Sequence, residues 1–122
     1  MKNVFVIDND VNNLTVIQLI LSSEGYKVKS FTNWKEGMEA TITNKPSLVI
    51  LKVDLGNVDG RNLISQLKHN PETKDIPVIL LSSNNESTKS LLETEANDFI
   101  TTPITFNYIL QKIKNLVGVF II

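Results

Sequence analysis

The sequence contains no cysteine. Disulfides and thiolate metal sites are therefore excluded, a usage that fits a reducing cytoplasm. Histidine occurs once, as His69, so a paired-histidine metal site is excluded as well. No long apolar run is present. The run at residues 4–7 stops at Asp8 and is too short for a signal peptide or a membrane span. No excess of one charge is present either. The formal net charge of -1 leaves no electrostatic footprint for nucleic acid. There is no internal repeat, low-complexity tract or linker. A cytoplasmic location without membrane or nucleic-acid partners is the expectation.

What remains has a globular composition, with 42% hydrophobic and 20% charged residues. The 122 residues suit one domain over 1–122, large enough for a single core. Short apolar runs alternate with segments of helical period. Residues 4–7, 28–31, 48–51, 78–81 and 98–101 read as strands. The third is apolar throughout, as burial on both faces demands. Between them, Leu14, Ile17 and Leu21 predict a helix stopped by Gly25. Trp34, Met38 and Ile42 predict a second, ending before Pro46. Leu63, Ile64 and Leu67 open a third that ends near Asn70-Pro71. Residues 86–95 give the weakest helical pattern. Phe106, Ile109, Leu110, Ile113, Leu116 and Val117 form the clearest amphipathic stripe. Five strands alternating with five helices predict an α/β fold with a parallel sheet covered on both faces. In such sheets the site forms at the carboxyl ends of the strands.

Those ends carry Asp8, Asn9 and Asp10, then Lys52, then Ser82 and Ser83, then Thr101 and Thr102 before Pro103. With their flanks they resemble the receiver domain of two-component response regulators. Residues 4–10 (VFVIDND) are similar to the family's opening acid cluster. Residues 45–51 (KPSLVIL) resemble its third strand, and residues 53–60 (VDLGNVDG) the loop that follows. Residues 75–82 (DIPVILLS) resemble the fourth strand with its signalling hydroxyl, and residues 96–103 (ANDFITTP) the fifth. The resemblance implies a flavodoxin-like, doubly wound (βα)5 fold of strand order 2-1-3-4-5. It implies a signalling module, not an enzyme. It also implies a phosphoacceptor aspartate ending the third strand, six residues after the proline and seven before the Asp of Asp-Gly. Counted from Pro46 or from Asp59, that position is Lys52.

Other departures accompany this one. The family's acid pair maps to Asp8 and Asn9, and its lysine before proline to Thr102. The hydroxyl is kept as Ser82. The pocket expected is thus Asp8, Asn9, Lys52, Ser82 and Thr102. Lysine cannot form an acyl phosphate. With two of three carboxylates gone, magnesium binding is expected to be weak or absent, with Asp8 and Asp54 the residual candidates. Lys52 is expected to pair with Asp8 in the place of the metal. Asp54 as an alternative acceptor needs a two-residue shift that moves both landmarks out of register; in the family that position offers a backbone carbonyl.

Plainer roles are expected elsewhere. Asp10 and Asn12 suit a helix cap. Asp59-Gly60 suits a turn and cap. Ser82 suits a strand-end backbone partner. Phe99 suits the core, although it matches the aromatic that rotates in family members. His69 is expected in solvent and Trp34 half-buried. Val119-Phe120-Ile121-Ile122 needs cover, by the domain or by a partner. The leading expectation is a receiver that binds a histidine kinase, an output protein or a second copy, without phosphoryl transfer. A phosphorylated switch with an altered site is the alternative. A small-ligand or enzyme domain lacks support, since no Gly-rich loop follows the first strand and no nucleophile–base pair is visible.

Overall fold

A computed structural model of the protein describes residues 2–83 and 88–118. Strands β1 (Asn3–Ile7), β2 (Lys27–Phe31), β3 (Leu48–Lys52), β4 (Val78–Ser82) and β5 (Asp98–Thr101) alternate with helices α1 (Val11–Ser23), α2 (Trp34–Asn44), α3 (Gly60–Lys68), α4 (Thr88–Leu92) and α5 (Phe106–Val117). The sheet runs β2-β1-β3-β4-β5, and every pairing is parallel. This is the flavodoxin-like order expected from the sequence.

The sheet separates two apolar layers. Phe5, Ile7, Val49, Leu51, Val78 and Leu80 face α2, α3 and α4 through Met38, Leu63, Ile64, Leu67 and Leu91. Val4, Val6, Leu48, Ile50, Ile79 and Leu81 face α1 and α5 through Leu14, Ile17, Leu21, Ile109, Leu110 and Ile113. The central strand shows why its run has no polar break. Leu48, Val49, Ile50 and Leu51 are all fully buried, with successive side chains on opposite faces. Each such side chain contributes about 1.5 to 3 kcal/mol through burial.

Capping sets the helix starts. Asp10, Asn33 and Asp59 each accept a backbone N–H of the first turn of α1, α2 and α3. Asp10 is thus a cap as expected, and Asn12 supplies the N–H that it accepts. α2 closes at Lys45, in the left-handed conformation, one residue before Pro46.

Several boundaries differ from expectation. In α2 the buried face runs through Gly37, Met38 and Thr41, and Ile42 is exposed. Steps of four residues drift around a helix of 3.6 residues per turn, so position 41 returns to the face that 42 has left. Phe106 is likewise exposed, because it is the first residue of α5, where the sheet no longer covers it. α3 ends at Lys68, two residues early, with His69 as its C-cap. Of the weak helical segment 86–95, Thr88–Leu92 is helical; residues 86 and 87 lie outside the described residues. The apolar tail 119–122 lies outside them too. Among the described residues no helix is long and apolar enough to cross a membrane.

Candidate functional site

Sheet register builds the site. Ile7 pairs with Leu51 in the parallel ladder, so Asp8 and Lys52 come next, side by side, at the carboxyl edge. The backbone N–H of Asp8 still donates to Phe31 O, 3.0 Å away, which holds the residue in line with the strand. Its carboxylate is fully buried. Oδ1 accepts the N–H of Asp10 at 2.9 Å, and Oδ2 accepts Asn13 Nδ2 at 3.1 Å. Lys52 Nζ stands 3.5 Å from Asp8 Oδ1, its side chain 22% exposed. The pair expected from the sequence is formed.

Asn13 is a site residue that the sequence reading missed. It lies in the first turn of α1, where an amide has no distinguishing pattern. Its only signal was its place five residues beyond Asp8, within reach of the strand end.

The other expected members are arranged differently. Asn9 is exposed, and its amide lies beside the β3–α3 loop near Gly56. Ser82 is buried and turned toward β5, where its Oγ lies 3.4 Å from Ile100 O and 3.3 Å from Thr101 Oγ1. The strand-end role expected for it is what the structure shows. Thr102 is half-buried and anchored by its backbone N–H to Ser82 O at 2.9 Å. Among the described residues no hydrogen bond joins Ser82 or Thr102 to Asp8 or Lys52. Asp54 is exposed, and its Oδ1 accepts the N–H of Gly56 at 3.0 Å. It borders a cleft of about 390 Å³ with Gly56, Asn57, Asp59 and Arg61.

The donor set does not fit a hard divalent cation, which needs several anionic oxygens. Asp8 offers one carboxylate, already engaged on both oxygens. Asn9 is neutral, and the third position is itself a cation. Among the described residues no group of three or more His, Cys, Asp or Glu could hold a metal.

The family model for the response regulator receiver domain matches residues 4–114. The chain belongs to that family. It is a receiver domain of the two-component response-regulator type. The chain is similar to the two-component response regulator ORR3 of Oryza sativa, 30% identical over 105 residues that cover 84% of this chain and 80% of that one. It is similar to the phosphate regulon transcriptional regulatory protein PhoB of Pseudomonas aeruginosa, 27% identical over 93% of this chain and 50% of PhoB. The chain thus spans about half the length of the first curated relatives it matches. The crystal structure of the signal receiver domain of a histidine kinase from Syntrophus aciditrophicus superposes with a TM-score of 0.86 at 26% identity, over 97% of this chain and 91% of that one.

Two measurable consequences follow for this receiver. In Lys52→Ala, the buried Asp8 carboxyl loses the ammonium that stands beside it. A loss of about 1 to 3 kcal/mol is expected at neutral pH, below the full cost for a wholly buried pair because Lys52 reaches solvent. Equal urea midpoints for variant and parent would rule the pair out as a stabilising contact.

The second concerns Asp59, which caps α3 and accepts Arg61 Nη2 at 2.7 Å and Nε at 3.0 Å. The Arg61 hydrogen bonds hold its carboxyl below the ordinary value of 3.8, against the opposing effect of burial. A depressed carboxylate contributes stability that is present above its unfolded value and lost as pH falls through its folded one. Asp59→Asn keeps the cap and removes the charge. It should be less stable than the parent by several tenths of a kcal/mol at pH 7, given the pair's exposure. That gap should close as pH drops below 3.8. A gap independent of pH in paired urea titrations would contradict this.

Proposed function

We propose that residues 1–122 act as a receiver unit that does not take phosphate and works by binding protein partners in the cytoplasm. The observation that carries this reading is the Lys52–Asp8 pair at 3.5 Å, set where the family has its acceptor and metal. An ammonium offers no oxygen for an acyl phosphate. It also supplies the positive charge that a divalent cation would otherwise bring. Ser82 adds support, because its hydroxyl is committed to β5. Phe99 is half-buried, and the Lys112 ammonium lies 5.6 Å from its ring while pairing with Asp98 at 2.8 Å. That contact favours one position of the ring.

The partners are a histidine kinase or an output protein, met through the face of α4, β5 and α5 that the family resemblance implies. Output then follows concentration and binding, with no catalytic step on this chain.

The test is incubation with a small acyl phosphate and magnesium, read by intact mass. The expected result is an unchanged mass for the parent. A gain of one phosphoryl group would overturn the proposal. Its loss in Asp54→Ala would then identify Asp54 as the acceptor.

A further inference from the structure

We propose that the open edge of β2 takes an extended acidic segment of a partner protein as an added strand, with Lys27 and Lys29 recognising its carboxylates. β2 reads KVKSF, lies at the end of the sheet opposite β5 and pairs only with β1. In a parallel ladder, alternate residues turn both backbone groups to one neighbour, and the residues between turn theirs the other way. The ends of this ladder fix which is which. Lys27 N–H donates to Lys2 O at 2.9 Å, and Phe31 O accepts the N–H of Asp8 at 3.0 Å. Lys27, Lys29 and Phe31 therefore bond to β1. The N–H and C=O groups of Val28 and Ser30 point away from the sheet, and among the described residues the fold supplies them no partner. They form a template for one more strand.

The side chains alternate between the two faces. Val28 packs with the layer of α1 and α5. Lys29 stands opposite Phe5 in the register, its ammonium 5.6 Å from the Phe31 ring. Phe5 and Phe31 belong to the layer of α2, so Lys27 and Lys29 project on that side. Both lysines are exposed, and among the described residues neither forms an ion pair. Lys45, Lys52 and Lys112, by contrast, each meet a carboxylate. With the amides of Asn3 and Asn44, the two lysines border a cleft of about 430 Å³.

The plain role of lysine on an edge strand is to keep other strands away. Here the pattern also selects. A second copy of β2 would bring lysines against lysines. An apolar strand would strip water from two ammoniums and offer them no partner. Nucleic acid carries negative charge but no matching backbone ladder, and the formal net charge of -1 does little to attract it. A segment with Glu or Asp at every second position matches both features. Its backbone meets Val28 and Ser30. Its carboxylates repeat at about 6.6 Å, the spacing of alternate residues along a strand and so of Lys27 and Lys29. Opposite charges facing each other across a ladder then add to the backbone bonds. This edge is remote from the face of α4, β5 and α5, and it does not involve Lys52. The proposal can therefore fail while the function proposed above stands, and the reverse.

The probe is a blocked peptide of about eight residues, long enough to span β2, in which Glu alternates with Val. It is titrated into the full chain and followed by amide NMR. The expected result is saturable binding that weakens as salt is raised. The amides of Val28 and Ser30 gain acceptors, so they should shift and exchange more slowly with solvent. Those of Lys27 and Lys29, already bonded to β1, should change much less. Lys27→Gln combined with Lys29→Gln should weaken binding roughly tenfold. Lys74→Gln combined with Lys89→Gln removes the same charge elsewhere and should leave binding nearly unchanged. All four lysines are exposed, so both variants should melt like the parent. A peptide of the same composition with its glutamates grouped together should bind more weakly. Absence of binding, equal binding of the grouped peptide, equal losses in the two double variants, or no response at Val28 and Ser30 would each overturn the proposal.

Discussion

Gly60→Ala is expected to lower stability by about 3 kcal/mol, a fall of about 10 °C in the melting temperature for a chain of this length. A Cβ at Gly60 would fall inside the van der Waals envelope of the Lys52 carbonyl oxygen, 3.0 Å from its carbon and 3.2 Å from Val53 Cα. All three atoms are backbone, so no side chain can swing away to make room. The contact exists because the β3–α3 loop folds straight back on its strand. Asp54 and Asp59 form an antiparallel bridge, and the Gly60 N–H donates to Val53 O at 2.6 Å. The turn therefore holds the backbone of Lys52 while Asp8 holds its ammonium.

Gly25→Ala provides the contrast. Gly25 has a φ of +89° and nothing within 4 Å of a built Cβ, so only its left-handed backbone opposes alanine. That strain costs about 1 kcal/mol. Urea midpoints for the two variants separate overlap from backbone strain. Equal losses would mean that the loop relaxes away from Lys52 at little cost. A loss at Gly60 well above that at Gly25 would show that the turn is rigid.

Much of this architecture was legible because burial and periodicity are local signals. The four apolar residues of β3 could be read as a doubly covered strand, and the structure buries all four completely. Lys52 read as the residue that ends the third strand, and β3 ends there. Its pairing with Asp8 then follows from a parallel register in which Ile7 meets Leu51. What stayed hidden depends on contacts between distant segments. Nothing in the pattern distinguishes Asn13 from Asn12, yet only Asn13 reaches the Asp8 carboxylate. The Asp59-Gly60 dipeptide read as a turn, and the sequence offers no sign that a strand backbone lies against Gly60. Ser82 could have faced either the pocket or β5. Its choice of β5 depends on Thr101, its partner across the ladder.

Lys52→Asp combined with Asn9→Asp should convert the charge logic of the pocket. Carboxylates would then stand at positions 8, 9 and 52, where the parent has one buried carboxylate, one exposed amide and one ammonium. Without a cation, their repulsion and the burial of Asp8 should make the double variant less stable than the parent. Magnesium should reverse part of that loss, because it binds the folded pocket and not the unfolded chain. For a dissociation constant of about 1 mM, about 10 mM magnesium restores about 1.4 kcal/mol. The parent should show no such response, since Lys52 already neutralises Asp8. Phosphoryl transfer from an acyl phosphate should follow in the double variant at a reduced level, because Thr102 still stands where the family has lysine. Melting curves with and without magnesium, paired with intact mass, separate the two effects. A magnesium response in the parent would show that Lys52 does not occupy the cation's place. A double variant indifferent to magnesium would show that the strand ends have lost more than their charges. The decisive outcome is a magnesium shift confined to the double variant, because it would trace the loss of the metal to two side chains on an otherwise competent scaffold.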